Sequence, residues 1–415
     1  VQLTLSTAVQ WLLLFAVFLG HGGLWVWLYN RINATGHKRR FIKRIEKGIV
    51  ALCFLIPIAL IALEWQFGRM HSGAQVAFGQ SGENGFLPRV MPITLVYSTV
   101  VLIFLAVVGP QWLAHRPQFA TARSRYRIKD TGLANNLHRD YPHWAQGKKT
   151  QRMLRVPGNQ VLSVETNVKQ LWLDELPSEL TGLRIGHISD IHLTGQLSPE
   201  FHRRSTDWLV EQGIDLLAIA GDIVDYEHAL GDLEKVFGHL PHELRKIFVL
   251  GNHDRAHGLV DAVRDRMVAM GWMDAGEQEH WIASPKGWIH VLGNEQPWLD
   301  RRQPDKDRAA ARPKPGEPCL RLGISHSPDQ LHWAQANNRQ LLLCGHTHGG
   351  QVRFPWIGPV IAPSWHGSRY ASGVFYAKPT LMHVSRGLSG VHPFRFGCVP
   401  EASILELQSE SFGQH

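Results

Sequence analysis

The chain has few cysteines, four in 415 residues. Cys53, Cys319, Cys344 and Cys398 form no Cys-x-x-Cys motif, which argues against a disulfide scaffold and a cysteine-bound zinc site. No internal repeat is present, and a charged share of 19% beside an apolar share of 44% is neither disordered, collagen-like nor coiled-coil. Acidic residues are in the minority: 43 Lys and Arg against 35 Asp and Glu leave a formal net charge of +8. Histidine and tryptophan, by contrast, are plentiful at 24 and 15. At 415 residues the chain is long enough for two or three domains. Almost all the long apolar runs fall in the first 110 residues, so a freely soluble enzyme is not the default reading.

The positive charge is localised. Arg31, Lys38, Arg39, Arg40, Lys43, Arg44 and Lys47 stand against the single Glu46, and Arg116, Arg123, Arg125, Arg127 and Lys129 follow residue 110. Both clusters sit beside apolar segments, the pattern of juxtamembrane loops facing anionic head groups. A nucleic-acid groove would interleave basic and aromatic residues on a folded face, so no nucleic-acid partner is expected.

Three segments are apolar enough to span a bilayer, at about 8–28, 48–64 and 90–109. The second is shorter and contains Pro57; the first lacks the basic n-region and small-residue cleavage site of a signal peptide. The basic loops orient the spans with residues 31–47 and everything after the third span in the cytoplasm, and the 64–89 loop outside. The expectation is a multi-pass protein of the inner (cytoplasmic) membrane, with the lipid bilayer as partner. His21 lies within a span, where it reads either as a polar lining group or as a neutral ring bonded to a neighbouring helix.

Residues 111–155 read as a linker with Pro117 and Pro142, many charges and no sustained apolar period. From residue 156 to about 410, β-like runs alternate with helical stretches: Val161–Val168, Leu183–Ser189, Pro199–Glu211, Ile214–Ala220, Ile247–Leu250, Val260–Met270, Leu320–Ile324 and Leu341–Leu343. That alternation predicts an α/β domain. Residues 294–318, rich in Arg, Asp, Lys and Pro, read as an exposed insertion.

Ligand-type residues follow five of these strands: Asp190 and His192; Asp222 after Gly221; Asn252, His253 and Asp254 after Gly251; His326; and His346 and His348 within Gly345-His346-Thr347-His348-Gly349-Gly350. Open α/β sheets place ligands at the carboxyl ends of strands, and glycine lets tight turns present side chains there. A lone Asp-x-His or Gly-Asp is ordinarily a surface pair or a turn. Their conjunction in five strand-end turns is what argues for a site. Carboxylate, amide and imidazole without thiolate suit manganese, iron or zinc.

These motifs, in their order and spacing, resemble those of calcineurin-like metallophosphoesterases. The tail from Ser385-Arg386-Gly387-Leu388 through Pro393-Phe394-Arg395-Phe396 to Pro400-Glu401 further resembles a membrane-associated bacterial branch. Some members of that branch hydrolyse UDP-diacylglucosamine. The resemblance implies a β-sandwich flanked by helices, here preceded by a bundle of three transmembrane helices. It implies two divalent transition-metal ions, manganese favoured. Asp190, His192 and His348 would bind one, Asn252, His326 and His346 the other, and Asp222 would bridge them. Two such cations activate a water and neutralise the entering and leaving oxygens of an in-line displacement.

His253 is left as a candidate acid for the leaving oxygen. Asp225 has the spacing to orient it, or alternatively to cap the next helix near Glu227. Arg386 and Arg395 could bind a substrate phosphate through a guanidinium fork, although arginine is also common at surface turns. One departure from the branch is Gly293-Asn294-Glu295-Gln296, where relatives often carry a Gly-x-Asp-Asp-like turn. The expected function is a membrane-anchored phosphoesterase acting on a phosphodiester, pyrophosphate or phosphomonoester, small or lipid-linked. The competing class is a non-catalytic membrane sensor or scaffold that keeps the metal-binding fold.

Overall fold

The computed structural model of the chain describes residues 7–78, 91–116, 121–134, 141–300 and 312–409. Two compact units emerge, Val1–Asn33 with Arg39–His115 and Ala34–Lys38 with Arg116–His415.

Among the described residues the first unit holds three helices, α1 (Thr7–Asn33), α2 (Arg39–Phe78) and α3 (Pro92–Ala114). Each is long and apolar enough to cross a membrane, over Ala8–Asn33, Arg39–Arg69 and Pro92–Ala114. At 1.5 Å per residue even the 23 residues of α3 exceed the ~30 Å of a hydrocarbon core. Trp11, Phe15, Phe18, Phe54, Ile58, Ile61, Val96 and Ile103 point outward, an apolar surface that water would not tolerate. The second helix is longer than the run read from sequence, because it takes in the basic residues from Arg39 and continues past Phe67, where hydropathy no longer marks it. Pro57 lies inside it without ending it, as proline does where local adjustment and neighbouring groups re-satisfy the freed carbonyl. A Cβ added at Gly20 would lie 2.4 Å from Val101 O, so α1 and α3 meet at a small residue. His21 is bonded to the Tyr97 hydroxyl (2.5 Å) and the Cys53 carbonyl (2.8 Å), which is the second of its two sequence readings. Of the expected 64–89 loop, residues 64–78 instead continue α2, and 79–89 lie outside the described residues.

Among the described residues the second unit contains fifteen strands. The first five are β1 (Tyr126–Ala134), β2 (Val164–Trp172), β3 (Arg184–Ile188), β4 (Leu216–Ala220) and β5 (Arg245–Val249). Next come β6 (Met273–Asp274), β7 (His280–Ser284), β8 (Gly287–Asn294), β9 (Cys319–Ser325) and β10 (Leu341–Cys344). The last are β11 (Arg353–Phe354), β12 (Gly358–Pro359), β13 (Gly373–Ala377), β14 (Thr380–Val384) and β15 (Glu401–Gln408). One sheet has the order β1-β2-β15-β3-β4-β5-β6, the other β13-β14-β10-β9-β8-β7, and β11-β12 is a small hairpin.

Alternation along each strand builds the layers. Leu216, Ala218 and Ala220 of β4 face a core shared with Leu320, Leu322, Leu341 and Leu343 of the second sheet. Leu217 and Ile219 face the helices, among Phe201, Leu209, Leu233, Phe237, Val263 and Met267. Leu342 and Cys344 pack outward under Leu331 and Ala334. β3, β4 and β5 are parallel, as are β9 and β10. These strands are buried on both faces, which accounts for their unbroken apolar runs.

Two readings of the sequence differ from this fold. Part of the supposed linker is structural: β1 pairs antiparallel with β2 and so belongs to the first sheet. Its consecutive residues Arg127, Ile128, Lys129 and Asp130 are all exposed, so an edge strand with both faces solvated over these positions left no apolar period to read. The supposed insertion begins as buried structure, because Asn294 closes β8 and Glu295 is buried. Residues 301–311, its middle, lie outside the described residues.

Candidate metal centre

The carboxyl ends of β3, β4, β5, β9 and β10 open onto one site. The turns there are held together by backbone bonds: Asp190 N donates to Gly221 O (3.0 Å), His192 N to Asp222 O (3.0 Å) and Gly345 N to His326 O (3.0 Å). Gly221 takes a φ of 82°, and a Cβ on Gly251 would lie 2.2 Å from Asp222 Oδ1. Five side-chain-bearing residues also sit in the left-handed region: Asp190 (φ 49°), His192 (47°), Asp222 (53°), His346 (72°) and His348 (50°). Each such residue costs about 1 kcal/mol or more. Five in one cluster mark a site whose geometry the surrounding packing imposes.

The side chains converge on Asp222. His326 Nε2 lies 3.2 Å and His192 Nε2 3.6 Å from its Oδ2, while its Oδ1 accepts a hydrogen bond from His253 N (2.8 Å). His348 Nε2 stands 3.5 Å from Asp190 Oδ1 and 3.3 Å from His192 Nε2. His346 Nδ1 is 3.2 Å from His326 Nε2. The imidazoles are oriented from behind. His192 Nδ1 donates to Asp225 Oδ2 (2.7 Å), His326 Nδ1 to Ala220 O (2.7 Å) and His348 Nδ1 to Ser389 O (3.1 Å). A bonded Nδ1–H fixes the tautomer that turns a bare Nε2 into the cluster, as metal-ligating histidines require.

Divalent cations fit this arrangement. Asp190, Asp222 and Asp225 are buried, and among the described residues their ion pairs are with histidines alone. A buried carboxylate charge needs a cation. Asn252 Oδ1 and His346 Nε2 are buried without a hydrogen-bond partner, as first-row metal ligands would be. The ligand atoms of Asp190, His192, Asp222 and His348 lie within 4.8 Å of one another, and so do those of Asp222, His326 and His346. Asp222 belongs to both groups.

The same carboxylates attract protons when metal is absent. Burial opposes charging His192, yet Asp225, Asp222 and Asp190 overcome it and push the ring up to about 9. Against the same burial, Asp222 and Asp190 push His326 up to about 9. Both values lie above the ordinary 6.5, so the protonated rings stabilise the folded chain fully below pH 6.5 and lose that effect as pH rises through 9. Metal-stripped protein should therefore lose up to about 3 kcal/mol per ring over that window, seen as a falling Tm. Restoring metal should flatten the profile, since the ring nitrogens then bind cation instead of proton. A stripped protein with constant Tm from pH 7 to 9.5 would contradict this.

His253 stands beside the cluster. Its Nδ1 donates to Asp225 Oδ1, so one carboxylate orients both His253 and His192. The 3₁₀ turn at Glu227 shows no side-chain cap, so Asp225 is not placed there as the capping residue. Burial holds His253 below the usual imidazole value despite the pull of Asp222 and Asp225.

The guanidinium fork does not form. Arg395 is wholly buried and donates to the carbonyls of His348 (3.3 Å), Arg386 (2.8 Å), Gly387 (3.4 Å) and Ser389. Arg386 pairs with Glu165 (2.7 Å) and Glu401 (3.4 Å). Both guanidiniums thus brace the 386–389 turn behind Asp190 and His348, and neither is placed for a substrate phosphate.

Three residues were given no role from the sequence. The Asp254 carboxylate accepts from Ile223 N (3.0 Å), Val224 N (2.9 Å) and Gly251 N (2.8 Å), locking the Asp222 turn to the Asn252 turn. Its place three residues after Gly251 is the available signal, because an acid there caps a helix start. Burial, then the charge of Asp222, raises its carboxyl to about 7. Glu295 accepts from Leu250 N (2.6 Å) and pairs with Arg264. Trp298 is buried with its ring centroid 4.6 Å from His346 and 5.3 Å from His326. No sequence pattern marks it as part of a site.

Comparison with known proteins agrees with the geometry. Residues 183–350 match the model of the calcineurin-like phosphoesterase family. The chain is 29% identical over 205 residues to phosphodiesterase YaeI of Escherichia coli, covering 48% of this chain and 72% of that protein. It is 27% identical to the metallophosphoesterase YkuE of Bacillus subtilis, over 59% of this chain and 86% of the relative. Similarity extends to the UDP-2,3-diacylglucosamine pyrophosphatase LpxG of Chlamydia muridarum, 24% identical over 56% of this chain and 86% of that one. The matched span runs from the strand that delivers Asp190 to the turn that carries His348, and the chain accordingly carries a calcineurin-like metallophosphoesterase domain, that of a metal-dependent phosphoric ester hydrolase.

Proposed function

We propose that the chain is a membrane-anchored phosphoesterase that hydrolyses a phosphodiester or pyrophosphate bond of a lipid-linked substrate. The observation that carries this reading is the pair of ligand groups meeting on Asp222, in a chain with three helices able to cross a membrane. Asp190, His192 and His348 would hold one divalent cation, and Asn252, His326 and His346 the other, with Asp222 shared; manganese is favoured. Two cations so held supply Lewis-acid stabilisation and lower the pKa of an attacking water. Asp225 keeps the His253 ring aimed, and His253 supplies a proton to the leaving oxygen. A scaffold would have no need for that pair. The named activity of the Chlamydia relative lends support to a lipid-linked pyrophosphate.

The substrate test is a panel of bis-p-nitrophenyl phosphate, nucleotides and a UDP-linked glycolipid, assayed in mixed micelles. Turnover of a lipid substrate should follow its surface fraction rather than its bulk concentration. Turnover confined to soluble nucleotides, and indifferent to detergent, would reject the lipid-linked reading.

The basic 31–47 loop and the phosphoesterase domain are proposed to face the cytoplasm. Single cysteines placed in that loop should resist an impermeant maleimide in intact cells and react after permeabilisation. Ready labelling in intact cells would invert the topology.

A further inference from the structure

The turn that carries His348 leads into the β11–β12 hairpin, where Arg353 pairs with Pro359 and Phe354 with Gly358. Its tip is apolar and turned outward: Trp356 is 93% exposed, and Phe354, Ile357, Ile361 and Trp365 are exposed around it. Trp356 adopts a φ of 58°, a conformation that glycine would take at less cost. The position nevertheless carries the largest apolar side chain, pointing into solvent. Phe396 adjoins the hairpin, since Arg353 N donates to its carbonyl (2.8 Å). Phe354, Trp356, Phe396 and Gly158 border a shallow cavity of about 510 Å³. A contiguous aromatic patch of this kind marks a surface meant to be covered.

Two further observations say by what. First, the two segments that build this face carry positive charge only: residues 346–400 and 141–164 include no Asp or Glu. Lys148, Lys149, Arg152 and Arg155 are exposed on and just after the helix Gly147–Leu154. That segment runs on to Gly158, which packs against the Phe396 ring. Second, Arg116 Nη2 donates to the carbonyl of Trp356 itself (2.6 Å). That bond brings a guanidinium, and so a further positive charge, to the hairpin tip.

We propose that the β11–β12 hairpin is a membrane-interface anchor that seats the phosphoesterase domain on anionic lipid. Trp356, Ile357 and Phe354 enter the head-group boundary, and the Lys148–Arg155 segment binds lipid phosphates. Indoles favour that boundary, and basic residues beside it gain from the negative surface potential. Arg353 Nε also donates to Gly349 O (2.7 Å), so seating the hairpin sets the height of the His348 turn above the bilayer. The inference rests on the membrane-anchored part of the proposed function and not on its substrate.

The test uses the full chain in nanodiscs, with no substrate present. Ile357→Cys carries a bimane in a Cys53→Ser, Cys319→Ser background, leaving only the buried Cys344 and Cys398. Trp365→Cys serves as a second reporter should the first fail to fold. Val268→Cys, exposed on the helix Val260–Ala269, is the control. In bilayers containing phosphatidylglycerol, shallow nitroxide lipids should quench the hairpin labels at least threefold more than the control. Replacing Lys148, Lys149, Arg152 and Arg155 with Gln should cut that excess severalfold. Equal quenching at 357, 365 and 268 would overturn the anchor. So would a blue-shifted, lipid-insensitive label at 357, which would mean that a second protein copy covers the hairpin. Quenching unaffected by the four Gln substitutions would overturn the role of anionic lipid.

Discussion

Asp222→Asn should empty both metal positions at once. Its carboxylate belongs to both ligand groups, and an amide keeps the shape while surrendering the charge that holds two cations. Metal content should fall from two per chain toward none by elemental analysis. Turnover should fall about a thousandfold or more, since metal stabilisation of the transition state is worth several kcal/mol at ~1.4 kcal/mol per decade. The fold should persist, because an amide oxygen can still accept from His253 N, as Asp222 Oδ1 does. His346→Ala should behave differently, removing a ligand from one group only and depleting one metal. In the stripped Asn variant the Tm decline between pH 7 and 9 should shrink, because His192 and His326 lose a charge that raises them. Fully active wild-type protein with a single metal per chain would reject the shared role of Asp222.

His253→Ala is expected to keep its metal and lose its rate. The ring is tied to Asp225 and forms a third close group with Asp225 and His192, but it lies outside the two groups that share Asp222. Loss of a positioned general acid costs about a hundred- to ten-thousandfold. The defect should narrow for p-nitrophenolate esters, whose leaving oxygen needs little protonation. Because burial keeps this imidazole on the acid side of 6.5, the protonated form is depleted as pH rises, so the wild-type rate should decline from a midpoint below that value. Asp225→Asn should be broader than a weaker copy of this defect, because the same carboxylate also holds His192. It should lower metal affinity as well as rate. A His253→Ala protein that has lost metal, or is equally slow on every leaving group, would end the acid assignment.

Much of the site was legible because its chemistry is local in sequence. Gly221-Asp222, Gly251-Asn252-His253 and Gly345-His346-Thr347-His348 each follow a buried apolar run, so residue type and strand end are read together. The three apolar helices were legible for a similar reason, since hydropathy over some 20 residues is a sum over neighbours. Where local signals ran out, the reading went astray. Arg386 and Arg395 look like phosphate ligands as residues, but only packing shows one enclosed by carbonyls and the other held by Glu165 and Glu401. β1 is exposed on both faces over residues 127–130, so it read as linker until its pairing with β2 was seen.

By itself, then, the sequence determined which residue types end five strands, that two basic loops flank apolar spans, and that no thiolate joins the ligand set. Tertiary structure alone decided that Asp222 sits where both groups meet, that Asp225 serves two histidines, and that Asp254 ties two turns together. It also brought Trp298 against His346 and turned Trp356 into solvent beside Arg116. The division follows from range. A turn's composition is written within a few residues, whereas Asp190 meets His346 across 156 residues of chain. That meeting exists only because parallel strands of two stacked sheets deliver their carboxyl ends to the same edge.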